Sequence, residues 1–280
     1  MEFKFKDHDN ANLARLLFNL KDERIYNTQI QSFYEQRKNS HPNPFCKYGS
    51  KVFSQTDEDG ITFEIVRRIK IENKFFIEFG VGRGTENNTL SLLAANWKGV
   101  WYGGQDLSVN LDNSKKLKFK KIWITKNNIV SLLKDALKNN DTKKIDLISL
   151  DLDGNDYYLI KEILSNNYQP KIFIAEYNGK FIPPIEFKID YDENFTWKGD
   201  DYFGASLQTL SNLFKSYDYK LICCNSATGA NAFFVHNKFA GEFADVPTNI
   251  RDIYVTPNYN IYNYWGYKKS LKTIEKIINE

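Results

Sequence analysis

The chain has 280 residues, room for one large domain or two small ones, and its 42% hydrophobic and 15% aromatic content can fill a sizeable core. Its 38 basic and 35 acidic residues leave a net charge of +3, which argues against a dedicated nucleic-acid binder. No apolar run reaches the roughly eighteen residues of a membrane span, and the opening MEFKFKDHDN lacks the apolar stretch of a signal peptide.

In chain order, residues 10–38 carry apolar positions at helical spacing, from Leu13, Leu16 and Leu17 to Ile30 and Phe33. Residues 39–50 form a Pro/Gly/Asn loop. Thr56 or Asp57 can cap a helix with Ile61, Ile65 and Ile69 on one face. Strands are then predicted at 74–79, 99–103, 119–125, 146–150 and 171–175, with helices at 86–96, 109–117, 128–137 and 157–164 between them. Continuous apolar runs separated by helices mean strands buried on both faces of a parallel sheet. A long polar and aromatic loop, 177–202, leads to a helix at 205–217. Strands at 219–224 and 232–236 follow, joined by only seven residues, 225–231. A link that short holds no crossover helix, so this pair is antiparallel. The last stretch, 250–280, is rich in Tyr and Asn and then in Lys and Ile. It reads as a packing appendage, a wall of the substrate pocket, or a homo-oligomer contact through its aromatic segment. Three units follow: an N-terminal helical extension (1–50), a ligand-binding α/β domain (51–240) and the C-terminal appendage (241–280). The three cysteines, Cys46, Cys223 and Cys224, cannot all pair and show no metal spacing; they read as reduced core thiols of a cytoplasmic protein.

The segment FFIEFGVGRGTENN, 75–88, carries the most chemistry. An apolar strand runs into Glu78 and then Gly80, Gly82 and Gly84, followed by a polar group that includes Asn87 and Asn88. Glycines in such a turn let the backbone approach a ligand closely. A dinucleotide fingerprint, G-x-G-x-x-G, would need a glycine where Thr85 stands. G-x-G-x-G with an acid two residues ahead instead resembles the first motif of class I S-adenosylmethionine (SAM) methyltransferases, where the carboxylate lies near the cationic methionine end of the cofactor. That likeness implies a Rossmann-like α/β fold whose seven-stranded, mostly parallel sheet ends in an antiparallel hairpin, with helices on both faces.

Within it, the acid after the second strand is Asp106, 22 residues past Gly84. The spacing is close to the roughly 20 that nucleotide-binding α/β folds use for a ribose contact. Asn127, after the third strand, falls where adenine contacts usually lie. SLDLDGND, 149–156, puts Asp151, Asp153 and Asp156 at the carboxyl end of the fourth strand, and Glu176, Tyr177 and Asn178 end the fifth. Ligands of open parallel sheets bind beyond these strand ends. Asp151, Glu176 and Asn178 resemble the oxygen ligands of metal-dependent O-methyltransferases, and oxygen ligands suit Mg²⁺. Helix capping and loop hydrogen bonding are the plainer alternative for these acids. His236 ends the last strand and is a further candidate base. Tyr177, Lys180, Lys198, Tyr202 and Asn231 are candidates for holding a substrate.

VFSQTDEDGI (52–61), FIEFGVGRGTENNT (76–89), ISLDLDGNDYYL (148–159), IAEYN (174–178), DYFGASL (201–207) and NAFFV (231–235) together resemble FkbM-type SAM-dependent methyltransferases. The resemblance spans roughly residues 50–236. It implies a SAM-dependent O-methyltransferase acting on a hydroxyl of a carbohydrate, either a nucleotide-activated sugar or a surface-polysaccharide precursor. It places Gln55, Glu58 and Asp59 near the cofactor or the pocket mouth. Asp151, Asp153 and Glu176 are then the candidate catalytic acids, acting as general base or through Mg²⁺. The alternatives are a catalytically silent SAM-fold scaffold subunit and an NAD-dependent sugar oxidoreductase.

Overall fold

A computed structural model describes residues 28–258 and 271–279. Helix α1 covers 28–40, and a 3₁₀ turn at Pro44–Tyr48 precedes α2 (Glu58–Ile69). Glu58 and Asp59 in the first turn of α2, with Arg67 and Arg68 in its last, match the helix dipole at both ends. The α/β core follows as β1 (Phe75–Phe79), α3 (Leu90–Ala94), β2 (Lys98–Gly103), β3 (Leu117–Lys121), α4 (Ile129–Asn139), β4 (Leu147–Leu150), α5 (Asp156–Ser165) and β5 (Ile172–Glu176). Then come α6 (Leu207–Lys215), β6 (Tyr219–Cys224), β7 (Asn231–His236) and, after the undescribed 259–270, α7 (Leu271–Asn279). Residues 1–27 and the Tyr/Asn-rich part of the last stretch lie outside the described residues, and with them most of the first expected helix.

The seven strands form one sheet in the order β3-β2-β1-β4-β5-β7-β6. β1 to β5 are mutually parallel, and β7 is antiparallel to both β5 and β6. This is the expected mostly parallel, Rossmann-like sheet with a terminal hairpin. Strand order reverses between β1 and β4, which makes their carboxyl ends the ligand crevice of such a sheet. The central strands β1 and β4 are buried at every position, as their apolar runs require. A stack of Phe173, Phe214 and Phe234 seats α6 on the β5–β7 side. Tyr34, Phe45 and Cys46, upstream of α2, are fully buried. All three cysteines are free and buried. No helix among the described residues is long and apolar enough to cross a membrane.

Two expected helices differ. Residues 109–116 are turns and bends rather than a helix. The C-terminal helix α7 binds this stretch instead: Ser114 Oγ donates to the Ile278 carbonyl, and Asn279 donates to that of Asn110. The helix expected over 86–96 shrinks to Leu90–Ala94, because the N–H groups of Asn88 and Thr89 are taken by the Glu78 carboxylate. The third strand starts two residues earlier and ends four residues earlier than expected, as an edge strand exposed at Lys118, Lys120 and Lys121.

A carboxylate-lined cavity at the strand switch point

At the carboxyl ends of β1, β4 and β5 lies a cavity of about 1020 Å³, room for a cofactor and an acceptor together. Three loops build its floor. After β1, Gly80 (φ +88°) brings the backbone so close to β4 that an added Cβ would overlap the Asp151 carbonyl. Gly82 (φ +49°) also needs left-handed backbone, but its Cβ side faces open space. Both line the cavity, with Glu78, Asn87 and Asn88. Gly84 does not; its Cβ side packs on Leu107 and Trp101.

Glu78 is buried, and both its oxygens are engaged. One accepts the Asn88 N–H at 2.9 Å; the other accepts the Thr89 N–H at 3.2 Å and the Thr89 hydroxyl. Trp101 Nε1 donates to that hydroxyl at 2.8 Å, fixing it. Burial pushes the Glu78 carboxyl up to about 7, against the pull of these donors. The first turn of α3 is thus capped by the protein's own carboxylate.

After β4 and β5 come Asp151, Asp153 and Glu176, each offering an oxygen within 4.8 Å of the others. Asp153 sits in left-handed backbone (φ 53°), a conformation a short Asp side chain tolerates. Burial, then the Asp153 and Asp156 charges, push the Asp151 carboxyl well up. Burial and the Asp151 charge do the same to Glu176. Asp156 does not join them; it accepts the N–H groups of Leu152 and Gly154 at 2.9 Å each and shapes the loop. Asn178 lines the cavity, but its amide holds the next loop, donating to the carbonyls of Asp201 and Phe203 and accepting from Lys180 N–H. Asp153 thus joins Asp151 and Glu176 as a third clustered carboxylate, while the Asn178 amide is engaged by the next loop.

From the hairpin side, Asn231 reaches the cavity directly opposite Glu176 in the β5–β7 register. Its Nδ2 donates to Glu58 at 3.2 Å. Glu58 is itself buried behind it and accepts from Thr56 N–H and hydroxyl. Gln55 lines the mouth as the resemblance implies. Asp59 does not reach it; one oxygen gathers the N–H groups of Val52, Phe53 and Ser54.

Other expected site residues lie apart. Asp106 is exposed and pairs with Lys121 at 2.8 Å, across the β2–β3 edge where Gly103 and Lys121 are in register. Asn127 is exposed and donates to Glu193. The turn after β3 that carries Asn127 is met by the 189–195 stretch of the long loop: Trp123 Nε1 donates to the Glu193 carbonyl, Lys126 N–H to the Tyr191 hydroxyl, and, from the loop after β4, Asn155 to the Asp192 carbonyl. Tyr177 is buried with its hydroxyl on the Val255 carbonyl, and Tyr202 is outside the cavity, accepting from Asp190 N–H. His236 is excluded by topology. β7 runs antiparallel, so Asn231 begins it at the cavity end and His236 closes it opposite the start of β5. Lys180 does line the cavity, ion-paired with Asp201. Residues that the sequence did not single out include Thr228 and Ala230 of the hairpin loop, and Trp197, Asp200 and Phe203 of the long loop. A 26-residue polar and aromatic loop after the last parallel strand was the available signal.

No protein family and no curated protein matches this chain. Among solved structures it is similar to a candidate hemolysin from Lactococcus lactis (9% identity, TM-score 0.39, covering 62% of this chain and 84% of that one). It is also similar to a chain of the fibrillarin–Nop5p complex (12%, TM-score 0.39, 68% and 90%). A third likeness is to a candidate O-methyltransferase from Nostoc punctiforme PCC 73102 (9%, TM-score 0.35, 61% and 55%). At such scores none of them carries weight for what the cavity does, and the FkbM resemblance stands on the quoted strings alone.

Proposed function

We propose that this protein is a SAM-dependent O-methyltransferase, cytoplasmic, whose acceptor is a hydroxyl of a carbohydrate. The observation that carries the cofactor is the cap on α3. In dinucleotide-binding turns the helix start receives a pyrophosphate. Here Glu78 already occupies the N–H groups of Asn88 and Thr89. A second anion beside it would meet a carboxylate, whereas the ammonium and sulfonium of SAM would meet an opposite charge. This disfavours the NAD-dependent reading. Bound SAM would supply an electrophilic methyl group.

The chain's own residues then have three tasks. Gly80 and Gly82 keep the turn open for close approach, with Glu78 and Asn87 beside the methionine end. Asn231 and Glu176 orient the acceptor hydroxyl, since near-attack placement is most of what methyl transfer asks of a protein. Asp151 or Glu176 takes the hydroxyl proton; burial holds both carboxyls above the ordinary carboxylate range, which makes either a stronger base once ionised. The three oxygens of Asp151, Asp153 and Glu176 also fit a divalent cation such as Mg²⁺, and Glu176 Oε2 is buried without a hydrogen-bond partner. Such an ion would be held by those three residues and would acidify a nearby hydroxyl. The carbohydrate acceptor rests on the FkbM resemblance.

Calorimetry tests the cofactor. S-adenosylhomocysteine should bind with micromolar affinity and NAD should not. Tight NAD binding, or none by S-adenosylhomocysteine, would remove the assignment.

A further inference from the structure

Three buried acceptor atoms in the cavity have no hydrogen-bond partner among the described residues: Asn87 Oδ1, Glu176 Oε2 and Asn231 Oδ1. The two asparagines are 4% and 3% exposed. Their amide orientations are fixed by partners that accept. Asn87 Nδ2 gives its proton to the Val81 carbonyl, and Asn231 Nδ2 to the Glu58 carboxylate. In each case the oxygen is left buried beside the cavity without a donor. Buried acceptors without donors are costly, by about 1–3 kcal/mol each, so the ligands must bring donors.

The charges agree. The cations among the described lining residues are Arg83 and Lys180. Arg83 turns to the Ser108 hydroxyl, and Lys180 is paired with Asp201. Lys180 is thereby paired, while Arg83, on the glycine turn, commits only its Nε to a neutral hydroxyl and keeps its charge. Facing them are the carboxylates after β4 and β5 and those of Asp200 and Asp201.

The sheet separates two halves of this acceptor-rich surface. β7 stands three strand spacings from β1 in the sheet order, about 14 Å at ~4.8 Å per spacing. Asn87 therefore belongs to the glycine-turn end, and Asn231 with Glu176 to the far end. At that far end the mouth carries Trp197, half-exposed beside Asp200. An aromatic face next to carboxylates is a setting that favours organic cations.

We infer that the acceptor bound at the Asn231–Glu176 end is a hydroxylated molecule bearing a protonated amine and no phosphate. This rests on the methyltransferase reading and narrows it: a nucleotide-activated sugar would bring a diphosphate to an end of the cavity where Lys180, the lining cation there among the described residues, is already paired with Asp201, while an amino-bearing hydroxylated compound supplies both donors and charge.

The test uses the full chain and two probes of opposite charge. Putrescine and inorganic pyrophosphate are titrated separately, while the side-chain amide signals of Asn87 and Asn231 are followed by nuclear magnetic resonance. Both titrations are run on the free protein and again with saturating S-adenosylhomocysteine. Putrescine should shift Asn231 in both states, with about tenfold weaker binding in Glu176→Gln. Pyrophosphate should leave Asn231 unmoved. Saturable shifts by pyrophosphate, with or without Mg²⁺, or an Asn231 signal indifferent to putrescine, would overturn the inference. Failure of S-adenosylhomocysteine to bind strikes the cofactor reading instead, and the free-protein titrations still decide the charge preference.

Discussion

The Asp57 carboxylate, fully buried at the start of α2, accepts the Ser226 backbone N–H at 3.1 Å across 169 residues of chain. It also takes the Ser226 hydroxyl, the Ala227 N–H and, at 3.0 Å, the Tyr34 hydroxyl. One side chain thus ties α1, α2 and the β6–β7 loop that supplies Thr228, Ala230 and Asn231 to the cavity. Asp57→Ala leaves these donors buried without a partner and should lower unfolding stability by at least about 3 kcal/mol in urea titration. Tyr34→Phe removes one donor and should cost about 1 kcal/mol. Equal costs for the two would show that the carboxylate is not the hub.

The two glycines of the turn separate folding from binding. Gly80→Ala forces a Cβ onto the Asp151 carbonyl in left-handed backbone, and we expect a loss of about 3 kcal/mol or more. Gly82→Ala meets nothing within 4 Å and carries only the backbone penalty, about 1–2 kcal/mol. Its new methyl group enters open space on a turn that lines the cavity, where the proposed cofactor would lie. Thermal unfolding should therefore find Gly82→Ala folded, while calorimetry finds S-adenosylhomocysteine affinity reduced tenfold or more. A folded Gly82→Ala with wild-type affinity would move the cofactor away from this turn.

The sheet was legible because its strands are short apolar runs with little else to be. The parallel-to-antiparallel change was legible from the length of one link, 225–231. Other features needed contacts that no local window contains. The stretch 109–116 has apolar residues at Val109 and Leu111, but its surface is met by α7 from the other end of the chain. The start of α3 is set by Glu78, which reaches ten residues ahead to cap the N–H groups just before it. Asp106 looked like a ribose ligand because an acid after β2 is where such ligands fall. Its partner, Lys121, is adjacent only through the β2–β3 register. The acids after β4 and β5 were visible as charges at strand ends, whereas the engagement of the Asn178 amide depended on a loop 23 residues on.

Glu78 gives the protein a pH signature. Its carboxyl is pushed up to about 7 from an ordinary value of 4.5. A raised folded-state value means its contribution to stability is fully present below about pH 4.5 and is lost as pH rises through about 7. The full difference corresponds to about 3 kcal/mol. Wild-type stability minus that of Glu78→Gln should therefore fall between pH 4.5 and 7.5 by an amount of this order in urea titrations at each pH. A flat difference would mean that Glu78 stays ionised throughout, with its donors outweighing burial.

Asp151 and Glu176 should show stability set against function. Burial pushes both carboxyls up, helped at Asp151 by the Asp153 and Asp156 charges and at Glu176 by the Asp151 charge, so once both ionise the fold holds like charges together at a cost. Glu176→Gln removes one of them while keeping size and one carbonyl oxygen. Its unfolding free energy should exceed that of the wild type by about 1–2 kcal/mol at pH 8. As pH falls and the wild-type pair takes up protons, the difference between the two proteins should shrink. Methyl transfer should fall about 100-fold or more in the same variant, because the base or its partner is gone. Full activity with raised stability would make Glu176 a dispensable acid. Lost activity with lowered stability would make it structural, through its place opposite Asn231 on β7. Only gain in one and loss in the other fits a carboxylate pair kept in place for its chemistry.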